Sequence, residues 1–73
     1  MGTGHLIKRS LTLKGHRTSV ALEPAFWEVL EQEAAQRGIP FARLITDIDI
    51  GRGEQPLASA LRVKALSIAQ DRG

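Results

Sequence analysis

One stretch, Arg17-Thr18-Ser19-Val20-Ala21-Leu22-Glu23-Pro24, constrains this chain more than any other. Its residues alternate in the manner of a strand and then meet a proline suited to the first position of a helix. Side chains alternate across a strand, so Thr18, Val20 and Leu22 share one face, and Arg17, Ser19 and Ala21 share the other. The first face is largely apolar, and the second is small, polar and basic. A lone strand leaves its backbone N–H and C=O groups unpaired, which is unfavourable when buried and an aggregation hazard when exposed. Any fold for this chain must therefore supply the segment with a second strand.

The chain has 73 residues, enough for a single domain. At 42% hydrophobic and 25% charged it has the composition of a globular protein rather than a disordered one. Its shortness is the difficulty. A chain of this size buries only roughly 60% of its unfolded surface, and small domains usually add disulfides, metals or a partner subunit. There is no cysteine, so disulfides and thiolate zinc sites are excluded. The only imidazoles, His5 and His16, have no carboxylate at a metal-ligand spacing. No metal or cofactor is expected, and a homodimer is the default. No apolar run approaches the ~20 residues of a membrane span, and no signal peptide is visible, so a cytoplasmic protein is expected.

Charge is uneven along the chain. Residues 1–22 carry Lys8, Arg9, Lys14 and Arg17 with no acid, whereas residues 23–55 carry seven acids against three bases. Asymmetry of this kind marks a surface that faces nucleic acid, or else a solvated basic arm. Residues 9–13 alternate, and Lys14-Gly15-His16 can form a turn because glycine tolerates positive φ. Residues 1–16 are thus either a basic arm or an extra strand that makes a hairpin with 17–22.

Three helices follow. Pro24 starts the first, Phe26, Trp27, Leu30 and Ala34 form its apolar stripe, and Gly38 after Arg37 ends it, giving 24–37. Ile39-Pro40 is a tight connection to a second helix over about 41–50, with Phe41, Leu44, Ile45 and Ile48 in its stripe. Residues 51–56, rich in Gly and Pro, form a loop. A third helix begins at 57 within the segment 57–73. It carries Leu57, Ala60, Leu61, Ala65 and Ile68 on one face, while Val63 and Leu66 fall on another. A helix apolar on more than one side packs against more than one neighbour. No residues are ordered for enzymatic catalysis: Asp47 and Asp49 diverge on a helix, and nothing arranges Ser, His and Asp into a triad.

The order strand, proline, amphipathic helix ending Arg-Gly, tight turn and second helix over residues 17–48 resembles the ribbon-helix-helix family of bacterial DNA-binding repressors. The phrase GHRTSVALEPAFW followed later by ALRV is similar to a subgroup with an extra C-terminal helix. The resemblance implies a mainly α fold with one short β-strand, 17–50 as its core, and an intertwined homodimer. In that dimer two copies of the strand pair antiparallel into an intersubunit ribbon. Val20, Leu22, Phe26, Trp27, Leu30, Leu44, Ile45 and Ile48 would form the dimer core. The ribbon would enter the DNA major groove with Arg17, Ser19 and Ala21 facing bases. The N-terminus of the second helix, Phe41, Ala42 and Arg43, would hold a phosphate, and Lys8, Arg9, Lys14 and His16 would contact the backbone. The implied function is sequence-specific double-stranded DNA binding, as a transcriptional repressor. The competing expectation is a protein-interaction module, antitoxin or adaptor, that holds a protein partner through the C-terminal helix.

Overall fold

The computed structural model describes residues 5–72. Residues 1–4 of the expected arm and Gly73 lie outside that range. The chain runs β1 (Ile7–Leu13), β2 (His16–Leu22), α1 (Pro24–Arg37), α2 (Phe41–Gly51) and α3 (Leu57–Arg72).

β1 and β2 form an antiparallel hairpin in register from Ile7↔Leu22 to Leu13↔His16. Lys14 and Gly15 make the two-residue connection, both at positive φ, 53° and 83°. That is the type I′ geometry whose twist matches the strands it joins. The strand 17–22 therefore has its hydrogen-bonding partner in its own chain. The expected single strand becomes two, since residues 7–13 form an additional strand.

The helices begin and end where local chemistry dictates. Glu23 is extended before Pro24 and makes no side-chain cap. Its carboxylate instead accepts from Arg62 Nε at 3.1 Å. A hydrogen bond to its own backbone, and then Arg62, hold this carboxyl below its ordinary value of 4.5. Gly38 adopts the left-handed conformation, φ 67°, and closes α1 by donating to the carbonyls of Ala34 and Ala35. Pro40 is extended, which fixes the short link to α2.

β1 lies over α2 and β2 over α3, while α3 also packs on α1 and α2. Leu11, Leu13, Val20 and Leu22 project from the hairpin onto Trp27, Leu30 and Ala34 of α1, Leu44 and Ile45 of α2, and Leu61, Ala65 and Ile68 of α3. Leu22, Leu30, Leu44, Ile45 and Leu61 are fully enclosed. Each such side chain contributes roughly 1.5–3 kcal/mol of transfer free energy. No polar side chain is buried among the described residues.

The residues expected in a dimer core take part in this core. Val20, Leu22, Trp27, Leu30, Leu44 and Ile45 are already buried within one chain. Phe26 and Ile48 pack against that core and remain partly exposed. Within the chain, β1 and α3 pack over them.

Candidate nucleic-acid interface

The hairpin register determines which side chains share its outward face. Paired residues in an antiparallel ladder point to the same side. Arg17 stands opposite Thr12, Ser19 opposite Ser10 and Ala21 opposite Lys8. Lys8, Ser10, Thr12, Arg17 and Ser19 are exposed and Ala21 is half-buried. The face thus holds two cations, three hydroxyls and a methyl group, with no carboxylate. Arg17, Ser19 and Ala21 occupy it together, as the alternation of β2 implied. Lys14 and His16 sit exposed at the turn end.

Ion pairing separates the basic residues into two groups. Arg9, Arg37, Arg43, Arg52, Arg62 and Arg72 each pair with an acid, at distances from 2.6 to 3.9 Å. Among the described residues, Lys8, Lys14 and Arg17 have no such partner, and neither does Lys64 on α3. Three of these four free cations therefore lie in the hairpin. No acid occurs between residues 5 and 22 to neutralise them.

Two expected phosphate contacts are placed differently. Arg9 occupies an inward position of β1. Its guanidinium carbon lies 4.8 Å from the Trp27 ring centroid and 4.7 Å from that of Phe41, and its Nη2 donates to Glu31 Oε2 at 2.7 Å. Cation–π contacts and an ion pair thus hold it off the outward face. Arg43 leans towards Asp47, Nε to Oδ2 3.9 Å, with most of its side chain in solvent. Its backbone N–H is also engaged, donating to the Pro40 carbonyl at 3.0 Å. Of the three N–H groups expected to bind an anion at this helix end, those of Phe41 and Ala42 remain. Phe41 and Ala42 line a cleft of about 290 Å³ with Ser10, Thr12 and Leu13 of β1, so the N-terminus of α2 stands beside that strand.

The reading from sequence missed Ser10 and Thr12. The available signal was the inward pair Leu11 and Leu13 next to Lys14-Gly15. Arg9 obscured it by placing a charge at an inward position.

A larger cleft of about 390 Å³ opens between the end of α2 and α3, lined by Leu44, Ile48, Gly51, Ala60, Val63 and Lys64 among others. Among the described residues no three His, Asp or Glu side chains cluster to hold a metal, and no helix is long and apolar enough to cross a membrane.

A family model described as a ribbon-helix-helix domain matches residues 6–69. That span includes the whole hairpin, α1, α2 and most of α3. No curated protein and no solved structure matches the chain significantly.

Proposed function

Because the chain belongs to the ribbon-helix-helix domain family, whose members are generally DNA-binding regulators, we propose that it binds double-stranded DNA sequence-specifically and regulates transcription in the cytoplasm. Its mode is that of a repressor acting as a homodimer. The observation that carries this reading is the distribution of free charge. Five of the eight acids pair with arginines, and the hairpin keeps Lys8, Lys14 and Arg17 unpaired on and beside an exposed, acid-free face. A surface of this kind attracts phosphates at long range. A two-stranded ribbon can also enter the major groove, where each base pair presents a distinct pattern of donors and acceptors.

The roles divide by chemistry. Arg17 reads a guanine through O6 and N7, Ser19 donates to or accepts from a base edge, and Ala21 offers its methyl group to a thymine methyl. Lys8, Lys14 and His16 contact phosphates from the rim of the hairpin, with the Phe41 and Ala42 N–H groups as a further anchor. Arg17→Ala should relax preference at one base position per half-site by about 1–3 kcal/mol. Lys14→Ala should weaken all sequences alike. Fluorescence anisotropy on a consensus selected from random DNA, and on single-base variants of it, distinguishes the two effects. Identical behaviour of the two variants, or no DNA binding by the purified protein, would refute the assignment.

A second reading is favoured by one observation: Val63 and Leu66 on α3 are 57% and 54% exposed, although the helix is otherwise well packed. This apolar face suits a protein partner, as in an antitoxin or adaptor. Pull-down from nuclease-treated lysate should then retain a stoichiometric protein through this face. Retention unchanged by Val63→Lys with Leu66→Lys would reject that role for α3.

A further inference from the structure

We propose that β1 serves as a flanking strand: where the β2 strands of two chains join as the DNA-reading ribbon, β1 lies outside each of them, and Ser10 and Thr12 donate hydrogen bonds to DNA phosphates. The inference rests on the homodimeric DNA-binding reading above and adds to it two contact residues and the position of β1 in the complex.

The hydrogen-bonding parity of the hairpin carries it. A two-residue type I′ turn makes its flanking residues, Leu13 and His16, a hydrogen-bonded pair, and bonded and non-bonded pairs then alternate along the ladder. His16, Thr18, Val20 and Leu22 thus direct their backbone groups at β1. Arg17, Ser19 and Ala21 direct theirs the other way, to an edge that no strand covers among the described residues. Such an edge is a template for a further strand. A second copy meets it antiparallel about a two-fold axis at Ser19, which sets Arg17 of one chain opposite Ala21 of the other and keeps the outward side chains of both copies on one face. β1 keeps its own partner throughout, so the ribbon gains one flanking strand on each side.

Chemistry and position then place β1 on the DNA backbone. Ser10 and Thr12 are exposed on the outward face in one row with Lys8, and Lys14 follows at the turn. Neither lysine has an ion-pair partner among the described residues, and no acid stands between residues 5 and 22. Short hydroxyls between free cations suit phosphate oxygens, which Ser and Thr side chains commonly contact. Neighbouring strands lie ~4.8 Å apart, so the two β1 strands stand ~14 Å from one another, outside the reading pair and at the margins of a groove ~12 Å wide. The N-terminus of α2, whose Phe41 and Ala42 N–H groups are the phosphate anchor in the reading above, borders β1 across the cleft that Ser10 and Thr12 line.

The test compares Ser10→Ala and Thr12→Val with Lys14→Ala and Arg17→Ala by anisotropy on a consensus selected from random DNA, and on single-base variants of it, at several salt concentrations. Valine keeps the β-branched shape of Thr12 while removing its hydroxyl, and thermal melts confirm that each variant is folded. We expect each β1 variant to weaken every sequence alike by about five-fold. Base preference is kept, and the salt slope is unchanged because a neutral hydroxyl releases no counterion. Lys14→Ala lowers that slope, and Arg17→Ala relaxes one base position. Unchanged affinity in the β1 variants, or a loss confined to one base position, overturns the flanking role and, with Arg17→Ala still relaxing its position, leaves the DNA reading standing. Ultracentrifugation of the complex should find two chains per site, and one chain per site overturns the flanking role and the homodimer together. No DNA binding by the unaltered protein overturns the flanking role and the DNA reading alike.

Discussion

DNA affinity is expected to fall about 150-fold when salt is raised from 50 to 200 mM. Each chain offers two unpaired lysines at the hairpin for phosphates, Lys8 and Lys14, while Arg17 reads a base, so a pair of chains can neutralise four phosphates. Counterion release then gives a log–log slope of about −3.6. Arg9 is excluded from this count because Glu31 holds it, and Arg43 because Asp47, 3.9 Å away, locally offsets its charge. The slope also reports stoichiometry, since a single chain acting alone would show about half of it, and only about a 12-fold loss over the same range. Lys14→Ala should reduce the slope by about one per chain. Anisotropy titrations at several salt concentrations measure all of these quantities. Salt-insensitive binding would mean that the free cations of the hairpin do not meet phosphates. A slope far steeper than expected would mean that Arg9 or Arg43 leaves its acid on binding.

Much of the helical layout was legible because its signals are local. Pro24 and Gly38 bound α1 as expected, and the stripes of α1 and α2 predicted Trp27, Leu30, Ala34, Leu44 and Ile45 in the core. Val63 and Leu66 were also rightly separated from the packed face of α3. The partner of β2 was not legible. Alternation tells which side chains share a face, but it does not say which backbone edge a strand meets. Lys14-Gly15 indicated a turn, yet Arg9 broke the apolar alternation of β1. Its inward position becomes intelligible only with Trp27, Phe41 and Glu31 around it, at sequence separations no local pattern records. The same holds for the candidate interface. Arg17, Ser19 and Ala21 followed from the alternation of β2, but Ser10 and Thr12 joined them only through cross-strand register. The free or paired state of each cation depends on tertiary contacts such as Glu23–Arg62, thirty-nine residues apart.

Trp27→Ala is expected to bring the fold to the edge of unfolding. Trp27 is 4% exposed and joins three elements. It projects from α1, its ring meets Phe41 of α2 at 6.2 Å, and its Nε1–H donates to the Ile7 carbonyl of β1 at 2.8 Å. The Arg9 guanidinium covers the same ring. Truncation opens a cavity, leaves the Ile7 carbonyl without this donor and removes one aromatic face from Arg9. Removing a buried Trp side chain destabilises by about 3–5 kcal/mol. A domain of this length holds about 4–11 kcal/mol in total, at roughly 0.05–0.15 kcal/mol per residue. The melting temperature should therefore drop by about 12–40 °C. Trp27→Phe keeps most of the ring and loses the donor, and should cost about 1–3 kcal/mol. Thermal melts at several protein concentrations add a second discrimination. A core enclosed within one chain loses stability by an amount independent of concentration. A core built from two chains would make the melting temperature of both forms rise with concentration. Because Trp27 fixes the first residue of β1, the Phe variant should also loosen that end of the hairpin, with earlier hydrogen exchange near Ile7 and Lys8 than near Leu13. Unaltered exchange there, in a variant that melts lower, would mean that the carbonyl contact contributes stability without positioning the strand.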